Sequence, residues 1–134
     1  MKVKILIADD NEDFLDLIKD TIELSGMNVD VTTVANGYLA LKSIKDKYFD
    51  LLITDVDMPV MNGVDLIRGL KTNRYPHAPQ NILLLSSYLE EGDEDDGDFQ
   101  EVSYMEKESF KNQFEKYLFE EVQKIHEQLD FDNK

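Results

Sequence analysis

A chain of 134 residues with 42% apolar and 32% charged side chains fits one compact domain and lacks material for two. It has no cysteine, which excludes disulfides and thiolate metal sites, and no apolar run nears the roughly 20 residues of a membrane span. The net charge of −15 would repel phosphates, so direct nucleic-acid binding is not expected.

Met1-Lys2-Val3 opens basic and apolar like a signal peptide, but Asp9-Asp10 arrives before any adequate apolar core. Val3–Ala8 therefore reads as a first strand, and a cytoplasmic protein with no membrane contact is expected. A helix over 13–24 follows, with Phe14, Leu17, Ile18 and Ile22 on one stripe and Gly26 as its stop. The second strand, Val29–Val34, alternates in polarity, as an edge strand does. Next come a short helix over 38–44, an apolar strand over 51–54, and a helix over 64–70 entered through Asn62-Gly63. A strand over 82–86 is followed by the run 90–98, which carries two glycines and no apolar residue. Nothing in that run can face a core, so the fourth helix of the pattern is expected to be degenerate or replaced by an acidic loop. A last strand over 102–105 leads to a helix capped by Ser109, with Phe110, Phe114, Tyr117, Leu118, Val122, Ile125 and Leu129 at helical spacing. The domain is expected over 1–129, with 130–134 as a tail. Short apolar strands alternating with helices predict an α/β fold around a parallel sheet.

In such sheets the functional site lies beyond the carboxyl ends of the strands. Asp9-Asp10 follows the first strand, Asp55 closes the third and Ser86 closes the fourth. One pocket can thus collect three carboxylates and a hydroxyl. Close carboxylates stay ionised together only when a cation joins them. Mg²⁺ suits the task, because it takes a few oxygen ligands and keeps waters that a phosphate can replace.

The stretch Asp55-Val56-Asp57-Met58-Pro59-Val60-Met61-Asn62-Gly63 matches the motif D-x-x-M-P-x-M-x-G at every fixed position. With Asp9-Asp10, Ser86 and Lys107 in the matching order, the chain resembles the receiver domains of two-component response regulators over essentially its whole length. The resemblance implies a doubly wound five-stranded parallel sheet of flavodoxin-like order 2-1-3-4-5. It implies Asp55 as phosphoacceptor, a carboxylate that attacks phosphorus. Asp10 and Asp55 would be direct Mg²⁺ ligands, Asp9 would act mainly through water, and the Asp57 backbone carbonyl would add an oxygen. Lys107 and Ser86 would meet phosphoryl oxygens, and Tyr104 would be the switch aromatic that moves inward as the serine is drawn to the phosphate. The implied function is a phosphoacceptor switch, not an enzyme acting on other substrates. Its partners would be a sensor histidine kinase or histidine phosphotransfer protein and a downstream protein target. A monomer or a phosphorylation-dependent homodimer is expected.

The chain departs from its family where Glu108 follows Lys107, since the usual residue is a proline joined through a cis peptide. Either a strained cis bond persists, costing roughly 2.5–4 kcal/mol, or a trans bond brings Lys107 in from a shifted backbone. Glu108 is also expected to compete for the lysine's charge. The acidic run does not fit an EF-hand, because taking Gly97 as the loop glycine puts Gly92 and Ser103 where ligands belong. Tyr88, two residues beyond Ser86, is expected to shield an acyl phosphate and slow its hydrolysis. The chain ends soon after the last helix, so a stand-alone receiver is the leading expectation. Two rivals use the same residues. A pseudo-receiver working by contact alone is favoured by Glu108 and the absent helix, and opposed by the full acidic set. A haloacid-dehalogenase-type phosphohydrolase would use Asp55-Val56-Asp57 as its D-x-D, but that motif normally opens the chain, and no cap is present.

Overall fold

A computed structural model describes residues 2–73, 75, 78–86 and 102–132, with only the backbone considered for 130–132. The acidic run 90–98 and Tyr88 lie outside the described residues. In chain order the elements are β1 (Val3–Ala8), α1 (Glu12–Ser25), β2 (Val29–Val34), α2 (Gly37–Asp46) and β3 (Leu51–Asp55). They continue with α3 (Gly63–Asn73), β4 (Asn81–Ser86), β5 (Val102–Glu106) and α4 (Lys107–Asp132). The strands form one parallel sheet in the order β2-β1-β3-β4-β5, with alternating β2 at an edge as its sequence implies.

The alternation of side chains along each strand builds two cores from one sheet. Val3, Ile5 and Ile7 of β1, Leu51 and Ile53 of β3, and Leu83 and Leu85 of β4 face α1 and α4. Leu6, Ala8, Leu52, Ile82 and Leu84 point the other way, onto Ala40 and Ile44 of α2 and Leu66, Ile67 and Leu70 of α3. Burial on both faces is why β1, β3 and β4 read as near-continuous apolar runs.

The helix ends follow local chemistry. Asn11 caps α1 by accepting from the Phe14 N–H at 3.0 Å, and Asn36 caps α2 by accepting from the Leu39 N–H at 2.8 Å. Gly26 ends α1 at φ 75°, as the sequence predicts. The start of α4 differs from the sequence reading. Ser109 is not its cap, because the helix begins at Lys107, directly after Glu106 of β5. With no proline after it, Lys107 escapes the clash that drives a pre-proline residue out of the α region and can start the helix itself, and Glu108 puts a negative charge at the helix's positive end. Phe110, Phe114, Leu118, Val122 and Ile125 bury the predicted stripe, with Tyr117 and Leu129 packed at its margin. The backbone of α4 continues through Asp132, three residues into the segment expected as a tail. Among the described residues no helix is long and apolar enough to cross a membrane.

Candidate functional site

Strand register brings the site together. Ala8 of β1 lies opposite Thr54 of β3, so Asp9 and Asp55, each one residue further on, sit at the same level. Asp55 in turn pairs with Leu85 of β4, and Ser86 pairs with Glu106 of β5. Ser86 and Lys107 are therefore delivered to the same carboxyl-terminal edge. Carboxylate oxygens of Asp9, Asp10 and Asp55 all lie within 4.8 Å of one another.

The three acids differ in environment. Asp9 is wholly buried, and its Oδ1 accepts the Asn11 N–H at 2.9 Å, which ties it to the start of α1. Asp10 is exposed. Asp55 is 6% exposed, and its Oδ1 lies 3.4 Å from the Asp57 backbone N–H. The Asp57 side chain faces solvent, and with Asp10, Met58, Pro59 and Asn62 it lines a shallow open recess of about 440 Å³ at the mouth of the site.

Lys107 reaches in from the first turn of α4. Its Nζ is 2.7 Å from Asp9 Oδ2 and donates to Asp55 Oδ2 at 3.2 Å. The chain has no cis peptide bond among the described residues, so the Lys107–Glu108 bond is trans, and the lysine arrives from a helical backbone. The expected competition from Glu108 does not occur: that carboxylate points outward and pairs with Lys111 at 3.7 Å.

Burial, and after it the Asp9 carboxylate, push the Asp55 pKa up, against the pull of Lys107 and the Asp57 N–H. Burial works to lower the pKa of Lys107, but Asp9 and Asp55 outweigh it and raise the pKa above that of an ordinary lysine. The ammonium stays charged at neutral pH. Asp55 is correspondingly a carboxylate in a place unfavourable to its charge, as perturbed groups at functional sites often are.

The remaining expected residues lie on β4 and β5. Ser86 ends β4, 8% exposed. Tyr104 lies on β5 with its ring against the α2–α3 core and its hydroxyl buried, an inward orientation.

Two features show their role only in the structure. Gly63 starts α3 against the strand end, where an added Cβ would lie 2.2 Å from the Asp55 carbonyl oxygen, so no other residue fits without moving the Asp55 backbone. Its fixed place in the motif was the available signal. Phe14 reads as an ordinary core position, yet its ring centroid lies 4.8 Å from the Lys107 ammonium. Helical periodicity carries no sign of that contact, because the lysine is 93 positions away in the sequence.

The fold and its acidic strand ends are those of a receiver-type signalling domain. Comparison with known proteins agrees: residues 5–118 match the family described as the response regulator receiver domain, and the chain belongs to that family, whose place is in two-component signalling. Membership leaves the dehalogenase-type reading of Asp55-Val56-Asp57 without support. The sensor protein EvgS of Escherichia coli is 44% identical over 70 residues, 52% of this chain and 6% of its own length. The response regulator FleR of Pseudomonas aeruginosa is 35% identical over 88 residues, 66% of this chain and 18% of its own. This chain thus spans well under half the length of these curated relatives. Among solved structures, a CheY-like receiver domain from Methanospirillum hungatei superposes with TM-score 0.75 at 21% identity, covering 96% of this chain and 99% of that one. The chemotaxis protein CheY4 of Vibrio cholerae gives 0.67 at 24%, covering 80% and 88%. These structural likenesses are of fold.

Proposed function

We propose that this receiver domain takes a phosphoryl group on Asp55 in a Mg²⁺-dependent reaction and thereby switches its contacts with a protein partner. The observation that carries this reading is the nearly buried Asp55 carboxylate, within 4.8 Å of Asp9 and Asp10 oxygens and 3.2 Å from the Lys107 ammonium. The donor set fits a hard cation: three carboxylates with neither histidine nor cysteine among them. Asp10, Asp55 and the Asp57 carbonyl would hold Mg²⁺, with Asp9 behind them. When bound, the ion supplies positive charge against the phosphoryl oxygens.

The rest belongs to the chain's own groups. An Asp55 oxygen forms the new P–O bond while the donor's bond to phosphorus breaks and the electron pair leaves with the donor. Lys107 already lies beside that oxygen and places a full positive charge where negative charge gathers. Ser86 donates its hydroxyl to a second phosphoryl oxygen, and Tyr104, whose ring is already inward rather than waiting to move there, would be held in that orientation behind it. The donor is a phosphohistidine of a sensor kinase or phosphotransfer protein, the reader is a downstream protein, and the setting is the cytoplasm. Wild type and Asp55→Asn are incubated with acetyl phosphate and Mg²⁺, and intact mass is measured. The wild type gains one phosphoryl group and the variant none. A wild type that gains nothing, or a variant that still does, refutes the reading.

A further inference from the structure

We infer that Phe14 is a positioning residue for Lys107, its ring face holding the ammonium beside Asp55 without neutralising it. The inference rests on the phosphoacceptor reading above. Lys107 stands at the first position of α4, at the end of a flexible four-carbon stem whose ammonium can settle in many places. Two contacts confine it on the acidic side, Asp9 at 2.7 Å and Asp55 at 3.2 Å. The third is the Phe14 ring at 4.8 Å, close enough for attraction between a cation and the negative face of the ring. The lysine side chain is only 17% exposed, so water screens that attraction weakly.

The ring is itself held. Phe14 is buried, with Phe110 6.1 Å away at a tilt of 55°, and Phe110 packs in turn on Phe114 at 6.0 Å and Tyr117 at 5.9 Å. The platform under Lys107 therefore belongs to an aromatic stack that joins α1 to α4. Lys111 also stands over the ring, but at 5.9 Å and with Glu108 3.7 Å from its ammonium, so Lys107 holds the closer place. The chemistry of the platform matters. A carboxylate in that place would cancel the lysine's charge and hold it back from an incoming phosphoryl group. A neutral ring steadies the ammonium and lets it pivot from Asp9 and Asp55 to phosphoryl oxygens. This also explains how a chain with Glu108 after its lysine, and a trans bond there, keeps the lysine in place.

The test weakens the ring's negative face while preserving its shape. Wild type, Phe14→Leu and a protein with 3,4,5-trifluorophenylalanine at position 14 are compared. Phosphorylation by acetyl phosphate is followed at fixed Mg²⁺, and thermal unfolding and the NMR signals of the Lys107 ε-methylene are recorded. We expect rates about tenfold lower with leucine and intermediate to low with the fluorinated ring, equivalent to about 1.4 kcal/mol of transition-state stabilisation. The fluorinated protein should melt with the wild type, which separates positioning from packing. The ε-methylene signals should be shifted upfield by the ring in the wild type and return to ordinary values in Phe14→Leu. Absence of that shift, or rates indifferent to fluorination, overturns the positioning role alone. A wild-type chain that accepts no phosphoryl group overturns the phosphoacceptor reading and the positioning role with it.

Discussion

Asp55 lies between the Asp9 carboxylate and the Lys107 ammonium in a setting that burial makes hostile to its charge. Replacing it by asparagine removes one member of a crowded anionic set and leaves Lys107 paired with Asp9 at 2.7 Å. In chelator, Asp55→Asn should therefore unfold at a higher temperature than wild type, by on the order of 1 kcal/mol of stability. A lower melting point would mean that the Lys107 pair outweighs the repulsion. Val60 carries strain of another kind. It is 82% exposed at φ 69°, a region that β-branched residues avoid, and the Met61 N–H closes a tight turn around it by donating to the Pro59 carbonyl at 2.7 Å. Val60→Gly should be more stable than Val60→Ala by about 1 kcal/mol in urea unfolding, since both remove the exposed side chain and only glycine relaxes the backbone. Equal midpoints would show that the turn holds no strain.

The loop between β3 and α3 is clasped by backbone hydrogen bonds. The Gly37 N–H at the start of α2 donates to the Met61 carbonyl at 2.9 Å, and the Gly63 N–H at the start of α3 donates to Val56 at 2.9 Å. The segment after Asp55 is thus bound to two helix starts. At the far side, α4 is anchored by its aromatic stripe. Tyr117 lies at the edge of that stripe, and burial, followed by the nearby Glu121 carboxylate, raises its pKa well above the ordinary value. The fold favours the neutral phenol, so the stability this brings is complete below about pH 10 and is lost as the pH climbs further. Tyr117→Phe keeps the edge contact with Phe110 and removes the titration. Its unfolding midpoint should fall less steeply than that of wild type above pH 10. Parallel alkaline profiles for the two proteins would sink the assignment.

Over the whole molecule, 29 acidic side chains face 14 basic ones, and the excess leaves divalent cations attracted from every side. Where binding to the folded state is specific, it raises stability by linkage, about 2.7 kcal/mol at a free concentration a hundred times the dissociation constant. Mg²⁺ should therefore raise the Tm of the wild type, and Asp10→Asn should lose most of the rise, because Asp10 is the exposed member of the converging acids. An equal rise in the variant would assign the effect to general screening of the surface.

Much of this was legible in the order of residues. Short apolar runs, the alternation of Val29–Val34 and stripes at helical spacing located all five strands and the four described helices, since burial on one face or on both leaves those patterns locally. The motif from Asp55 to Gly63, with Asp9, Asp10, Ser86 and Lys107, named the candidate site, because acids at the ends of parallel strands share one edge of the sheet. Other features arise only in three dimensions. The entry into α4 at Lys107, the pairing of Glu108 with Lys111, and the ring of Phe14 beneath the lysine ammonium depend on how two helices meet. Sequence patterns record which face of an element is apolar. Which side chain from a distant element lies against it is settled by packing, and there the lysine found its place.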